Sequence, residues 1–160
     1  LKLFVVIMSK VCNSTKFIFQ EAKDHCRWKK ALMPILNSIN VNEYRGKSFD
    51  EVFVSISNLC IPIAGLGTLT IYDITAAICR HNKIVMDKVF IIGNGPKRAV
   101  KLLGLDVKIH ILEKARLKYV EIEEIISAFD THGYTMDEHM RKMRCGDTFE
   151  TFICNWQKTI

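Results

Sequence analysis

The sequence predicts a mainly α protein: one compact helical domain over residues 14–160, with a glycine turn between two helices and room for one or two short strands. Three observations carry that prediction. Apolar residues recur every three to four positions along most of the chain, the spacing that gathers them on one helix face. Ser48/Glu51, Thr135/Glu138 and Asp147/Glu150 each set an oxygen-bearing residue three positions before a glutamate, the arrangement of a helix-opening capping box. Gly104 and Gly133 follow periodic runs, where a closing helix favours a residue free to turn left-handed. With 160 residues, 49% hydrophobic and 25% charged, the chain can build a core and is too apolar for disorder.

Residues 1–13 are set apart as an N-terminal segment. Its apolar run, LKLFVVIM, is too short to span a bilayer, and no small-residue cleavage site follows it. Met8 is the expected native start. Ser14 to Asn40 reads as helix, with Phe17, Ala22, Cys26, Lys29, Leu32, Met33 and Leu36 along one rough stripe and Pro34 expected to kink or split it. Arg27, Lys29 and Lys30 around Trp28 read either as a grip for nucleic acid or as a solvated helix face. VNEYRGK is expected to be a loop. The box at Ser48 opens a helix through VFVSISNLC that Pro62 ends.

Thr68 or Thr70 is expected to cap the next helix, which carries Ile71, Ile74, Ala77 and Ile78 on one face and stops near His81-Asn82. KIVMDKVFIIG fits a short strand or a buried helix equally. Asn94 is expected to cap a helix with Pro96 in its first turn and Gly104 at its end. VKIHI alternates as a strand does, while EKARLKY looks helical and basic. EIEEIISAFDTHG reads as a short helix ending at Gly133. The boxes at Thr135 and Asp147 open two more, the last burying Phe149, Phe152, Ile153 and Trp156.

The net charge of +6 and pI of about 9.0 permit a phosphate-bearing or anionic partner without requiring one. None of the six cysteines forms a C-x-x-C pair, so free thiols in a reducing, intracellular compartment are expected. His132, His139 and Cys145 match no standard metal spacing. No metal, no cofactor and no membrane partner is expected. The chain holds no Walker loop, H-E-x-x-H, dinucleotide fingerprint or Ser/His/Asp order.

The most informative tetrapeptide is Ala64-Gly65-Leu66-Gly67, between two apolar helical patterns. Two glycines flanking one apolar residue permit a turn too sharp for a Cβ and a close approach to a ligand. The amides of such a turn, at a positive helix end, make an anion site that fits a DNA phosphate. A second turn, Gly93-Asn94-Gly95-Pro96, leads into Lys97, Arg98 and Lys101, a second set of candidate phosphate contacts. Lys114–Lys118 and Arg141–Arg144 are basic stretches whose part depends on whether they share a face with the first turn.

The segment from Asp50 to Ile91 resembles the helix-hairpin-helix superfamily, in which an apolar-Gly-apolar-Gly hairpin is followed three residues on by Thr or Ala. Thr70 holds that place, and Ile74 and Ile78 supply the later apolar positions. The resemblance implies duplex DNA held through its phosphates by Gly65, Gly67, Thr68 and Thr70. The DNA glycosylases among these proteins carry an aspartate beyond the second helix, where this chain has Val85-Met86-Asp87. By that resemblance Asp87 is the candidate catalytic carboxylate, stabilising an oxocarbenium ion while the base is flipped out, in DNA repair. Leu69 stands where bifunctional members carry a Schiff-base lysine, and their four-cysteine iron–sulfur loop is missing, so any such enzyme would resemble the monofunctional type. The first expectation is a non-catalytic DNA-binding domain. The alternatives are that monofunctional glycosylase-like enzyme and a protein–protein interaction module whose basic residues are solubilising. The sequence assigns no oligomeric state.

Overall fold

The computed structural model of the chain describes the backbone of Val5–Met8 and Lys16–Phe19, and residues 29–160. The chain is mainly helical, as expected, with a three-stranded antiparallel sheet. Its contacts gather into two compact units, residues 1–84 and 85–160, where one domain over 14–160 is expected from sequence.

In the first unit, β1 (Val5–Met8) pairs antiparallel with β2 (Lys16–Phe19). The second strand replaces the start of the helix expected from Ser14. Lys-Phe-Ile-Phe is rich in aromatic and β-branched residues, which suit a strand. Helix α1 (Lys29–Ser38) is the remainder of that expected helix, and it runs through Pro34 without splitting. Its Leu32 and Leu36, one turn apart, are buried. The Arg27–Trp28 reading lies outside the described residues. Val41–Tyr44, expected as loop, forms one 3-10 turn capped by Asn40, whose Oδ1 accepts from the Asn42 amide at 3.2 Å.

Helix α2 (Phe49–Cys60) opens on the expected box: Ser48 Oγ accepts from the Glu51 amide at 3.3 Å, and Glu51 Oε2 accepts from the Ser48 amide at 2.7 Å. Those bonds to Ser48 hold the Glu51 carboxyl below its ordinary pKa. Phe49, Val52, Phe53, Ile56 and Cys60 form the buried stripe. Helix α3 (Thr68–Asn82) is buried without a break from Ile74 to Cys79. Asn82 Nδ2 donates to the Val41 carbonyl at 2.8 Å, tying the C-terminal end of α3 to the 3-10 turn.

Helix α3 closes with the Ile84 amide on the Cys79 carbonyl (2.9 Å) and the Lys83 amide on the Arg80 carbonyl (3.3 Å). Those bonds place Lys83 left-handed at φ 55, where a side chain is strained. The other two helices that close this way use Gly104 (φ 64) and Gly133 (φ 69) at the equivalent point. Lys83→Gly is therefore expected to stabilise the first unit by about 0.5–1 kcal/mol. An unchanged or lowered midpoint in urea unfolding would contradict it.

The second unit sets helices on a sheet of order β3-β5-β4: β3 (Lys88–Phe90), β4 (Lys108–Leu112) and β5 (Ala115–Glu121). β5 corrects the helix expected at EKARLKY. Paired on both edges, Ala115–Glu121 follows its alternation of two rather than its local helix propensity. Helix α4 (Asn94–Leu102) starts at Asn94, the expected cap, and its N-cap is Gly93, one residue earlier, with no side-chain cap bond. Helix α5 (Ile122–His132) opens on a box from Glu121, whose amide donates to Glu124 Oε2 at 2.8 Å. Helix α6 (Glu138–Lys142) is capped by Asp137, whose Oδ1 accepts from the Met140 amide at 2.8 Å, in place of the box expected at Thr135.

Helix α7 (Gly146–Trp156) starts ahead of the box expected at Asp147, which lies inside its first turn. Val89, Val120, Ala99, Ile125, Phe129, Phe149 and Ile153 are the centre of this unit's core. Phe152 and Trp156 are half-buried against Phe129, with ring centroids at 5.4 and 4.9 Å. Gly95 of α4 is pressed against Cys154 of α7: a Cβ there would lie 2.4 Å from the Cys154 sulfur.

Candidate nucleic-acid interface

The glycine turn joins α2 to α3 in the first unit. The Leu66 amide donates to the Ile63 carbonyl at 3.3 Å, closing a β-turn whose third residue, Gly65, has φ 79. A type II turn requires a positive φ there, and glycine adopts it without steric cost. Ile63 is buried and anchors the turn, while Ala64, Gly65, Gly67, Thr68 and Leu69 are exposed.

Gly67 is the N-cap of α3, extended at φ −78 and ψ 153, with no side chain to cap the helix. Neither Thr68 nor Thr70, the expected caps, takes that role: Thr68 is the first helical residue and Thr70 is half-buried in the first turn. The Thr70 and Ile71 amides share the Gly67 carbonyl (3.1 and 3.4 Å). The Thr68 and Leu69 amides precede the first intrahelical bond, so helix geometry supplies them no acceptor. Two donors of exposed residues thus stand at the positive end of a 15-residue helix, where negative charge is favoured.

Side-chain charge is distributed differently. From Leu59 to Cys79 the chain carries no Lys or Arg and one acid, Asp73. The last turn of α3 carries Arg80 and His81, about 20 Å along the helix from Gly67. The +6 of the whole chain is concentrated in residues 1–30, where seven Lys and Arg stand against two Asp and Glu. Within Leu59–Cys79 itself, the positive charge comes from main-chain amides and the helix dipole.

The other site residues belong to the second unit. Lys97, Arg98 and Lys101 are exposed on one side of α4, opposite buried Pro96, Ala99 and Val100. The Lys97 amide bonds back to the Gly93 carbonyl at 3.3 Å, and Pro96 has no amide to offer. What α4 presents is chiefly a cationic side-chain face. Of the basic stretches, Arg116 and Lys118 share one face of β5, and Arg141 of α6 pairs with Asp130 of α5.

Asp87 is 79% exposed and pairs with Lys88 at 3.2 Å, whose ammonium also lies 5.6 Å from the centre of the Tyr119 ring. It sits two residues past the boundary between the units, and Gly65 belongs to the first of them. A carboxylate that steadies an oxocarbenium ion acts most strongly where water is excluded, and this one faces solvent.

Among the described residues, no group of His, Cys, Asp and Glu is placed to hold a metal ion. His132 donates from Nδ1 to the Ala128 carbonyl at 2.8 Å and stacks on Tyr134. No described helix is long and apolar enough to cross a membrane. Sequence reasoning passed over Leu69, whose amide is one of the two open donors, and the exposed apolar side of β4. The alternation of VKIHI held the signal for the latter. Compared with protein-family models, curated proteins and solved structures, the chain has no match.

Proposed function

We propose that the first unit binds duplex DNA through the turn at Ala64–Gly67, gripping a backbone phosphate with the amides at the start of α3, without catalysis. The observation that carries this reading is the bare N-terminus of α3. Gly65 makes the turn, Gly67 leaves the helix without a side-chain cap, and Thr68 and Leu69, whose amides precede the first intrahelical bond, are exposed residues. Such a contact reads no bases, so binding would be independent of sequence. The cations in residues 1–30 and on α4 are the candidates for the remaining phosphate contacts.

Two measurements test the reading together. Affinity for a short duplex, titrated against salt, is expected to fall steeply, because each neutralised phosphate releases counterions. Gly67→Ser is expected to supply the missing cap, since Ser is a strong N-cap in this extended conformation. The variant should gain up to about 1 kcal/mol of stability and lose DNA affinity, its hydroxyl now occupying an amide meant for phosphate. Unchanged affinity in a stabilised Gly67→Ser protein would remove the amides from the interface.

A further inference from the structure

The second unit ends its sheet on an apolar, open edge. In the order β3-β5-β4, no described strand pairs with the far side of β4. Val107, Ile109 and Ile111 are 40%, 54% and 64% exposed, and they alternate along that strand and the residue before it. Exposed β-branched residues at positions i, i+2 and i+4 lie on one face. On β5 the same face carries Lys118 beside Ile109 and Arg116 beside Ile111, and further along it Val120 with Val89 of β3, which the helices cover.

The hydrogen-bonding direction of each residue follows from one bond. The Lys118 carbonyl accepts from the Ile91 amide at 2.7 Å, so Lys118 turns its backbone groups toward β3. Its neighbours Leu117 and Tyr119 therefore turn theirs toward β4, where they face His110 and Lys108. The amides and carbonyls of Ile109 and Ile111 are left pointing off the sheet. The residues with exposed apolar side chains are thus the residues with open backbone groups.

We infer that β4 is the pairing edge for a second copy of this chain, joined antiparallel with Ile109 on the two-fold axis. In that register Ile109 faces Ile109 of the second copy, and Val107 faces Ile111. Every facing pair of this set has its backbone groups directed across the junction, so the ladder closes without a slip. The apolar stripes of the two copies merge on one face, and two three-stranded sheets become one of six strands. On the other face Lys108 falls opposite His110, and Lys108 is already engaged by Glu124 at 2.9 Å and Glu121 at 3.7 Å. A partner peptide would need its own apolar alternation and open edge, and this strand carries both.

The edge also sets the strength. One short strand and three half-exposed side chains per copy cover far less than the roughly 800 Å² per partner of a standard interface. The dimer is therefore weak and depends on concentration. It is closed, because each copy has one such edge and two-fold pairing uses both.

Sedimentation equilibrium of the 160-residue chain from micromolar to millimolar tests this. The average mass is expected to rise from 18.4 kDa toward twice that value and no further. Ile109→Lys should weaken association by about tenfold or more, because one substitution sets like charges opposite each other on the axis. Val85→Lys, at an exposed apolar residue outside the strand, should leave it unchanged. Amide exchange of the unsubstituted protein gives the register without relying on a variant: the Ile109 and Ile111 amides should slow as concentration rises, and the His110 amide should not. A monomer at millimolar concentration, a mass climbing past the dimer, loss of association in Val85→Lys, or a dimer with unprotected Ile109 and Ile111 amides would each overturn the proposal.

Discussion

Gly146→Ala is expected to destabilise the second unit by about 3 kcal/mol or more, the severe end of overpacking. A Cβ on Gly146 would lie 1.8 Å from the Lys88 carbonyl oxygen and 2.5 Å from its carbon. Both are backbone atoms of β3, so no side chain can rotate away. The Gly146 amide also donates to the Met86 carbonyl at 2.6 Å, and backing off to admit a methyl group breaks that bond. Gly146 is where α7 docks on the start of β3, and α7 brings Phe149 and Ile153 into the core. Losing the docking therefore loosens the core as well as the turn.

Gly104→Ala provides the comparison. It has open space for a methyl group and only a left-handed backbone (φ 64) to strain it, at a cost of about 1 kcal/mol. In a Trp28→Phe background Trp156 is the chain's one tryptophan, and it packs on Phe129 and Tyr134. Its fluorescence in a urea titration follows the second unit. A Gly146→Ala midpoint no lower than that of Gly104→Ala would show that α7 does not need the close approach.

That contact was invisible in sequence because it joins residues nearly 60 positions apart through a backbone carbonyl that any residue could supply. The same distinction runs through the chain. The box at Ser48 was legible because its bonds span three residues. At Thr135 the same local pattern misled, since Asp137 stands one residue before Glu138 and its carboxylate caps the helix instead. The stretch Lys114-Ala-Arg-Leu-Lys118 has helix-forming residues, and its pairing on two edges made it a strand. Gly65 was readable as a turn glycine, because only a positive φ fits that position. Two features needed the structure: that Gly67 leaves α3 without a side-chain cap, and that the nearest cations of the same helix lie at its other end.

The charge distribution makes Gly65→Glu the sharpest substitution for the proposed DNA contact. From Leu59 to Cys79 the chain has no Lys or Arg to offset an added carboxylate, and the new charge would stand beside the Thr68 and Leu69 amides. It would repel a phosphate and compete with it for the same donors. A loss of affinity of about tenfold or more is expected, in line with the roughly 1.5–3 kcal/mol of a hydrogen bond to a charged group. The substitution also strains a backbone held at φ 79, by about 1–2 kcal/mol. Binding must therefore be separated from stability. Gly46 provides the separation: it has the same φ of 79, open space for a side chain, and lies before α2, outside the turn. Gly46→Glu brings the same charge and the same kind of strain into the same unit. It is expected to lower the unfolding midpoint as Gly65→Glu does while keeping most of the DNA affinity. Equal losses of affinity in the two variants would mean that net charge, not the turn, holds the DNA, and the amides at the head of α3 would lose their assigned part.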